Sequence, residues 1–396
     1  MDSSHFRRLL GLTLAGALAL GGCLRVDVPE NINFNGPGSG DRDDDDDDRD
    51  GPDQFPSSGE GGWKGMIYDA AGYVMGAEHG VLFYGYDTLA YPGKPVDVAA
   101  RFQSARDLGG IGEMPLAFYR DDVLVGTAET DADGYARIEW TPPDARDYAF
   151  TVRLVDPPEA LAKVEPAPLL VSARPRGTEI VVIDLDHTVV ASGFERVLLG
   201  GARPMPGASE VVHKIERRYA VVYLTQRPNI LTRKSKLWLQ AHDFPAAPLM
   251  VGRLSDAFDS GKYKTGKLSA MRQAYPNLRI GIGDKLSDAQ AYVDNGMTAV
   301  LLPNYDPEDA EHMAQVADDI RDLDGRGRLH VVSGWDQVNR VIFGGGSYPP
   351  ERFARILESQ ARRRRIEQRE EEEEGDDDDD DEDDDDDEDD DEDDDD

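Results

Sequence analysis

The stretch from 178 to 188, TEIVVIDLDHT, decides the fold of this chain. Four consecutive apolar residues, Ile180–Ile183, are followed by Asp184, Asp186 and Thr188. An uninterrupted apolar run of this length, ending in polar residues, is typical of a strand buried on both faces of a parallel sheet. Because ligands of open α/β sheets bind beyond the carboxyl ends of the strands, we expect the two aspartates and the threonine to face a site.

Downstream of this strand the hydrophobic period alternates between strand and helix. Further strands are predicted in AVVYLTQRP, APLMV, LRIGIGDK and MTAVLL, the last of these being the final strand expected. Helical spacing is present between them, in GASEVVHKIERRY, NILTRKSKLWLQAHDF, TGKLSAMRQAY and SDAQAYVDNG. Strands that alternate with helices indicate a doubly wound, Rossmann-like α/β domain, which we place at 178–346.

The region upstream, 63–175, has a different pattern. Short runs with partial alternation, such as KPVDVAARFQ, MPLAFYRDDVLVG, GYARIEWTPP and YAFTVRLVDPP, predict an all-β domain. Strands of this length and spacing favour an immunoglobulin-like sandwich, a prediction that rests on pattern because the chain has one cysteine. We expect this domain to act as a spacer or docking platform.

The amino terminus has the organisation of a secretory signal. Arg7 and Arg8 precede the short apolar run Leu9–Leu20, which is shorter than the roughly 20 residues needed to span a bilayer. Leu20-Gly21-Gly22-Cys23 resembles the lipobox of bacterial lipoproteins, which implies a signal peptide at 1–22 and lipidation of Cys23. The resemblance implies an extracytoplasmic protein anchored to a bacterial membrane, with the outer membrane favoured. An ordinary signal peptide with a chance cysteine is the alternative.

The formal charge of −37 is concentrated in two tracts. Residues 370–396 contribute −26 and residues 41–53 contribute −7, so the rest of the chain carries only −4. The first tract predicts a disordered acidic tail at 375–396, preceded by a solvated, charged helix at 347–374, and the second lies in a Gly/Pro/Asp-rich tether at 23–62. A body so close to neutral does not favour a nucleic-acid partner. The oligomeric state is left open.

Four short motifs occur in order along the α/β domain. They are DxDxT at Asp184, Asp186 and Thr188, a threonine after a strand at Thr225, a lysine at Lys264, and an acid pair at Asp284 and Asp288. In this order they resemble the haloacid dehalogenase (HAD) superfamily of phosphatases. Each motif alone is common, and the resemblance rests on all four lying at the expected structural positions.

The resemblance implies a mechanism that needs Mg²⁺. Asp184, Asp284 and the backbone carbonyl of Asp186 would hold the ion, with Asp288 close by, and Asp184 would attack phosphorus to give an aspartyl-phosphate. Asp186 would protonate the leaving oxygen and later activate water. Two further catalytic roles are implied, for Thr225 in holding the phosphoryl group and for Lys264 in offsetting its charge. Lys267 is the alternative lysine.

The second motif, YLTQRP, narrows the resemblance to the lipin-type phosphatidate phosphatases. There the arginine of this motif lies near the phosphate pocket, so Arg227 is a predicted substrate-binding residue together with Thr188. His187 stands where the family motif often has glycine. Two roles are left open for its side chain: it contacts the substrate, or it simply faces the loop. The chain has DLDHT where the family has DIDGT, and IGDK where the family has FGNR.

The spacing of the motifs bears on the substrate. Thirty-six residues separate Thr188 from Thr225, and 38 separate Thr225 from Lys264. Core elements use much of each interval, so neither has room for a large cap domain. An open site favours a phospholipid headgroup at a bilayer over a small metabolite. The alternatives are a polynucleotide end or another phosphomonoester as substrate, and a non-catalytic module that binds lipid or phosphate.

Overall fold

The computed structural model describes residues 77, 79–193, 201–252 and 260–377. The predicted signal peptide, the lipidation site Cys23 and the tether lie outside these ranges, and so does the chain beyond 377. Within the described ranges, no helix combines the length and apolarity that crossing a bilayer requires.

Two β-sheets make up the first part of the described chain. Their strands are β1 (Val81–Gly85), β2 (Thr88–Ala90), β3 (Val96–Ser104), β4 (Pro115–Arg120), β5 (Val123–Glu129), β6 (Tyr135–Trp140), β7 (Asp147–Leu154) and β8 (Ala167–Ala173). One sheet has the order β1-β3-β6, and the other has the order β2-β8-β7-β4-β5. All neighbouring strands are antiparallel except β2 and β8, which run parallel.

The two sheets share one apolar core. Phe83 and Phe102 from the first sheet and Phe118 and Phe150 from the second are all buried in it. Alternating inward side chains of both sheets fill such an interior, which is the physical basis of a sandwich. The structure therefore has a two-sheet β-unit at this position, and its immunoglobulin-like classification stays a prediction.

A six-stranded parallel sheet with helices follows. Its strands are β9 (Ile180–Ile183), β10 (Ala220–Pro228), β11 (Leu249–Gly252), β12 (Leu278–Gly283), β13 (Thr298–Leu301) and β14 (Leu329–Val331). The helices are α1 (Ala208–Glu216), α2 (Thr232–Ala241), α3 (Ser260–Ala274), α4 (Leu286–Asp294), α5 (Ala310–Asp322), α6 (Trp335–Gly344) and α7 (Pro350–Asp377). Short 3-10 turns occupy Glu159–Leu161 and Asn229–Leu231.

The strand order of this sheet is β11-β10-β9-β12-β13-β14. Starting from β9, the chain first adds strands on one side and then, at β12, on the other, so the winding reverses between these two neighbours. That reversal opens a crevice at the carboxyl ends of β9 and β12, where doubly wound sheets bind their ligands. The α/β prediction is confirmed. The expectation that MTAVLL is the last strand is wrong, because β14 follows it. With three residues, β14 is too short to produce a periodic signal.

The sandwich, which we expected to be a spacer or docking platform, packs directly onto the parallel-sheet domain. Lys236 of α2 donates to the Asp87 carboxylate across the boundary, at 2.7 Å, and both side chains are largely buried. Tyr275 donates from its hydroxyl to the carbonyl of Ala90, and Leu89 belongs to the core of the parallel-sheet domain. Buried polar and apolar contacts therefore join the two domains.

Helix α7 also differs from the prediction of a wholly solvated helix. Its first half buries Phe353, Ala354, Leu357 and Ala361 in the core beside α5 and β14. These residues recur at helical spacing, which places them on one face of the helix. Because the second half of the helix is rich in charged residues, the composition of the whole segment does not reveal this apolar face.

Candidate active site

Three carboxylates meet in the crevice where the sheet reverses its winding. Asp184 directly follows β9, Asp284 directly follows β12, and Asp288 lies in the first turn of α4. One oxygen of each lies within 4.8 Å of the others, and all three side chains are buried. The backbone N–H of Asp184 donates to the carbonyl of Ile282 at 2.9 Å, so pairing between β9 and β12 fixes the separation of the two strand ends.

The ammonium of Lys264 lies among these carboxylates. Its Nζ is 3.0 Å from Asp184 Oδ1 and 2.6 Å from Asp288 Oδ2. Helix α3 carries the lysine to this position, and its side chain is almost fully buried. Lys267, the alternative from the sequence, is only half-buried.

Gly283 permits the close approach of α4 to the strand end. A Cβ at this position would lie 3.0 Å from Asp288 Oδ2 and 3.1 Å from Asp288 Cβ. A side chain there would push Asp288 away from Lys264. The glycine that ends β12 is therefore part of the site's construction.

The electrostatics of the cluster favour a bound cation. Burial, reinforced by the charges of Asp184 and Asp288, raises the pKa of Asp284 from 3.8 to about 8. Burial likewise raises the pKa of Asp288 to about 6, although Lys264 opposes the rise. For Lys264, burial lowers the pKa, but the two neighbouring aspartates outweigh it and raise the pKa above its ordinary value. With all three carboxylates ionised, the cluster around the one ammonium has a formal charge of −2.

The donor set fits Mg²⁺. Asp284 Oδ1 is buried and has no hydrogen-bond partner among the described residues, as expected of an oxygen whose partner is an ion. Carboxylate oxygens are hard ligands of the kind that Mg²⁺ prefers. A divalent cation would also balance the charge of the cluster. Asp184, Asp284 and Asp288 are the residues that would hold it.

Asp186 and Thr225 are placed by a second group of contacts. The Arg227 guanidinium grips the Asp186 carboxylate, with Nη2 at 2.6 Å from Oδ1 and Nε at 3.0 Å from Oδ2. Its other amino group donates to Ser235 Oγ at 3.0 Å. Thr225 Oγ1 accepts from the backbone N–H of Arg227 at 3.2 Å. Direct contact of Arg227 with a substrate stays a prediction.

The loop after β9 holds the two remaining candidates. Thr188 is fully buried, and its Oγ1 has no partner within the described ranges. Its carbonyl accepts from the indole N–H of Trp335 at 2.8 Å. His187 has a φ of 52°, a left-handed conformation that is uncommon for residues other than glycine. Its side chain lines a cavity of about 610 Å³ that Asn304, Ser333 and Trp335 also line.

Sequence reasoning missed two residues that shape this site. Ser235 orients Arg227, and Trp335 supports the loop after β9 from 147 positions away along the chain. Neither belongs to a motif, and a serine or tryptophan in an amphipathic helix carries no local sign of such a contact. Only the tertiary packing reveals them.

Residues 181–300 match the family model described as "PITM 1-3, LNS2 domain". This segment resembles the LNS2 domain. LNS2 domains belong to the lipin/LNS2 group of HAD-like phosphatases, so the match supports a lipid-related, HAD-like segment at the centre of the chain.

Curated relatives show the same local similarity. Membrane-associated phosphatidylinositol transfer protein 2 of Mus musculus is 36% identical over 78 residues, which are 19% of this chain and 6% of that protein. Membrane-associated phosphatidylinositol transfer protein 3 of Homo sapiens is 38% identical over 74 residues, which are 18% of this chain and 7% of that protein. The chain thus spans less than a tenth of the length of these relatives.

One similar solved structure aligns with part of the chain only. The "Structure of Pnkp1/Rnl/Hen1 complex" aligns with 38% of this chain and 58% of its own, at 11% identity and a TM-score of 0.29.

Proposed function

We propose that this protein is a Mg²⁺-dependent phosphatase that works through an aspartyl-phosphate at Asp184 and acts on phospholipid phosphomonoesters such as phosphatidate. The observation that carries this proposal is the buried cluster of three carboxylates around the Lys264 ammonium. A purely structural cluster of this kind is costly, because each charge loses its hydration on burial. The match to the LNS2 domain supports the lipid-related part.

Each residue of the site has its own role in the proposed reaction. A bound Mg²⁺ would neutralise phosphate charge and reduce its repulsion of the nucleophile. One Asp184 oxygen attacks phosphorus, and the bond from phosphorus to the leaving oxygen breaks as Asp186, which enters this step as the protonated acid, transfers its proton to that oxygen. Asp186 then accepts a proton from water, whose oxygen attacks phosphorus and releases inorganic phosphate from Asp184. Lys264 stabilises the negative charge on the Asp184 side throughout.

The contact with Arg227 is compatible with the role of Asp186 in this scheme. Each carboxylate oxygen has two acceptor positions, and the guanidinium uses one side of the group. The Asp186 side chain keeps 18% of its surface exposed, in contrast to the buried Asp184. A substrate oxygen can therefore approach Asp186 from the solvent side.

The proposal is tested with the full chain and vesicles that contain phosphatidate. We expect release of inorganic phosphate that requires Mg²⁺, stops on chelation and is lost in Asp184→Asn. Thr225→Ser is the matched control, since serine keeps the hydroxyl. Robust turnover by Asp184→Asn, or in the presence of a chelator, would refute the mechanism.

The substrate class is tested with a panel in the same buffer. Phosphatidate in vesicles, a soluble alkyl phosphate and an oligonucleotide with a terminal phosphate are compared by kcat/KM. Preference for the vesicle substrate supports the lipid assignment, and preference for the oligonucleotide refutes it. Vesicle binding without turnover would indicate a non-catalytic module.

We also infer that lipidated Cys23 anchors the protein on the extracytoplasmic side of a bacterial membrane. The lipobox-like sequence before the cysteine supports this inference. Anchoring would keep the catalytic domain close to its lipid substrate. Metabolic labelling with a fatty acid should mark the wild type and fail to mark Cys23→Ser. Equal labelling of both would refute the anchor.

A further inference from the structure

The orientation of Asp186 depends on a short chain of buried contacts. Arg227 holds the carboxylate, and Ser235 Oγ in turn holds Arg227. The Arg227 side chain has only 1% of its surface exposed, so water does not replace these partners. Whatever fixes the segment between Arg227 and Ser235 therefore fixes the direction in which Asp186 points.

Two consecutive residues of the sandwich, Tyr86 and Asp87, bind that segment. Near its start, Asn229 Nδ2 donates to the hydroxyl of Tyr86 at 3.1 Å, and the contact is buried. At its end, Lys236 Nζ donates to Asp87 Oδ1 at 2.7 Å. Tyr86 and Asp87 lie in the link between β1 and β2, where a single short loop reaches both contacts.

Several further contacts hold Tyr86 and Asp87 in place. Besides Lys236, the Asp87 carboxylate accepts from the backbone N–H groups of Leu170 at 2.7 Å and Leu249 at 2.9 Å. The ring of Tyr86 packs with Tyr84 and Tyr135. This cluster also buries Ile230 and Leu231, which lie between Arg227 and Ser235. Packing and hydrogen bonds therefore restrict the two residues to one arrangement.

We propose that Tyr86 and Asp87 are positioning residues for proton transfer by Asp186. The proposal rests on the proposed function, and it gives the sandwich a part in a reaction whose reacting groups all lie in the other domain. As positioning residues, Tyr86 and Asp87 are not expected to touch the substrate. They act through Asn229 and Lys236 on the segment that orients Arg227, and Arg227 orients Asp186.

The test uses Tyr86→Phe, which removes one hydroxyl and keeps the ring. Tyr84→Phe is the matched control, because the hydroxyl of Tyr84 donates to Gln103 within the sandwich and both rings belong to the same cluster. Asn229→Leu breaks the Tyr86 contact from the opposite side. If the hydrogen bond is the cause, the double variant Tyr86→Phe/Asn229→Leu loses no more activity than either single variant.

The kinetic readout is the ratio of rates on two esters. An alkyl phosphate needs protonation of its leaving oxygen, and p-nitrophenyl phosphate does not, so weaker proton transfer slows the first far more. We expect Tyr86→Phe to lower kcat/KM by about tenfold for the alkyl ester and by less than about twofold for p-nitrophenyl phosphate. This parameter excludes the later hydrolysis of the aspartyl-phosphate, in which Asp186 acts on both esters. Equal losses on both esters, or the same losses in Tyr84→Phe, would overturn the proposal.

A second readout does not need activity. Hydrogen exchange at the Arg227 Nε–H, followed by NMR in the full chain, reports the contact with Asp186 directly. We expect faster exchange in Tyr86→Phe and Asn229→Leu than in the wild type and Tyr84→Phe. Unchanged exchange in both would overturn the positioning role. Because this measurement is independent of turnover, an inactive wild type would refute the proposed function and leave this inference to be decided by the exchange data.

Discussion

The Nζ atom of Lys264 lies 3.0 Å from Asp184 Oδ1, with both side chains shielded from solvent. An ammonium in this position holds the Asp184 carboxylate by charge and hydrogen bonding, although burial acts against the charge of the ammonium. The two residues come from β9 and α3, so the pair forms only when the helix packs against the sheet.

We predict that Lys264→Met destabilises the metal-free protein by about 3 kcal/mol, because the buried carboxylates of Asp184 and Asp288 lose their cation. Urea unfolding with and without Mg²⁺ measures this, and added Mg²⁺ should recover part of the loss without restoring turnover. Lys267→Met, one turn further along the same helix, should have a smaller effect because Lys267 is only half-buried. A larger effect at Lys267 would contradict the assignment of the lysine.

The metal-free protein should lose stability as the pH rises from about 4 to about 8. The folded-state pKa values of Asp284 and Asp288 lie above the usual 3.8, at about 8 and about 6, so the folded state holds more protons than the unfolded state in this window. The free energy of unfolding then falls by up to about 1.4 kcal/mol per pH unit for each extra proton held.

This pH dependence has a variant control and a metal control. Asp284→Asn should flatten the curve between pH 6 and 8, because its amide does not titrate. Saturating Mg²⁺ should flatten it as well by stabilising the ionised carboxylates. A slope in metal-free wild type that matches that of Asp284→Asn would show that Asp284 titrates normally.

His187→Gly is expected to stabilise the fold or leave it unchanged, and His187→Ala to destabilise it by about 1 kcal/mol. A left-handed φ of 52° costs free energy for a residue with a Cβ and almost none for glycine. Among residues with a Cβ, histidine adopts this conformation more readily than alanine. Thermal melts of the three proteins should rank glycine first and alanine last. A rise in KM for both variants would indicate that the imidazole contacts the substrate. An unchanged KM would favour the simple loop position.

Lys236→Met should cost about 3 kcal/mol, because the buried Asp87 carboxylate keeps its desolvation cost and loses its cation. Arg153→Met is the control, since its partner Asp122 is exposed and surface pairs contribute little. In the wild type, probes in the sandwich and in the parallel-sheet domain should unfold in one transition. Two separate transitions would show that the interface does not couple the domains.

Local patterns predicted much of the fold of the parallel-sheet domain. Continuous apolar strands such as Ile180–Ile183 and amphipathic helices such as α1 give clear periods, because both faces of a central strand and one face of each helix are buried. The strand β14 and the packed face of α7 escaped prediction for the opposite reason. One is three residues long, and the other lies in a segment dominated by charge.

The sequence by itself determined which chemical groups are available and that they lie at or near the carboxyl ends of strands. Asp184 directly follows β9, Thr225 lies in the second half of β10, and Asp284 directly follows β12. Parallel strands direct their carboxyl ends to one edge, so chain order alone is enough to predict a shared site. Only the tertiary structure decided the contacts of Arg227 with Asp186 and of Tyr86 with Asn229. Those contacts depend on how two domains and several helices pack, and packing joins residues that no local period relates.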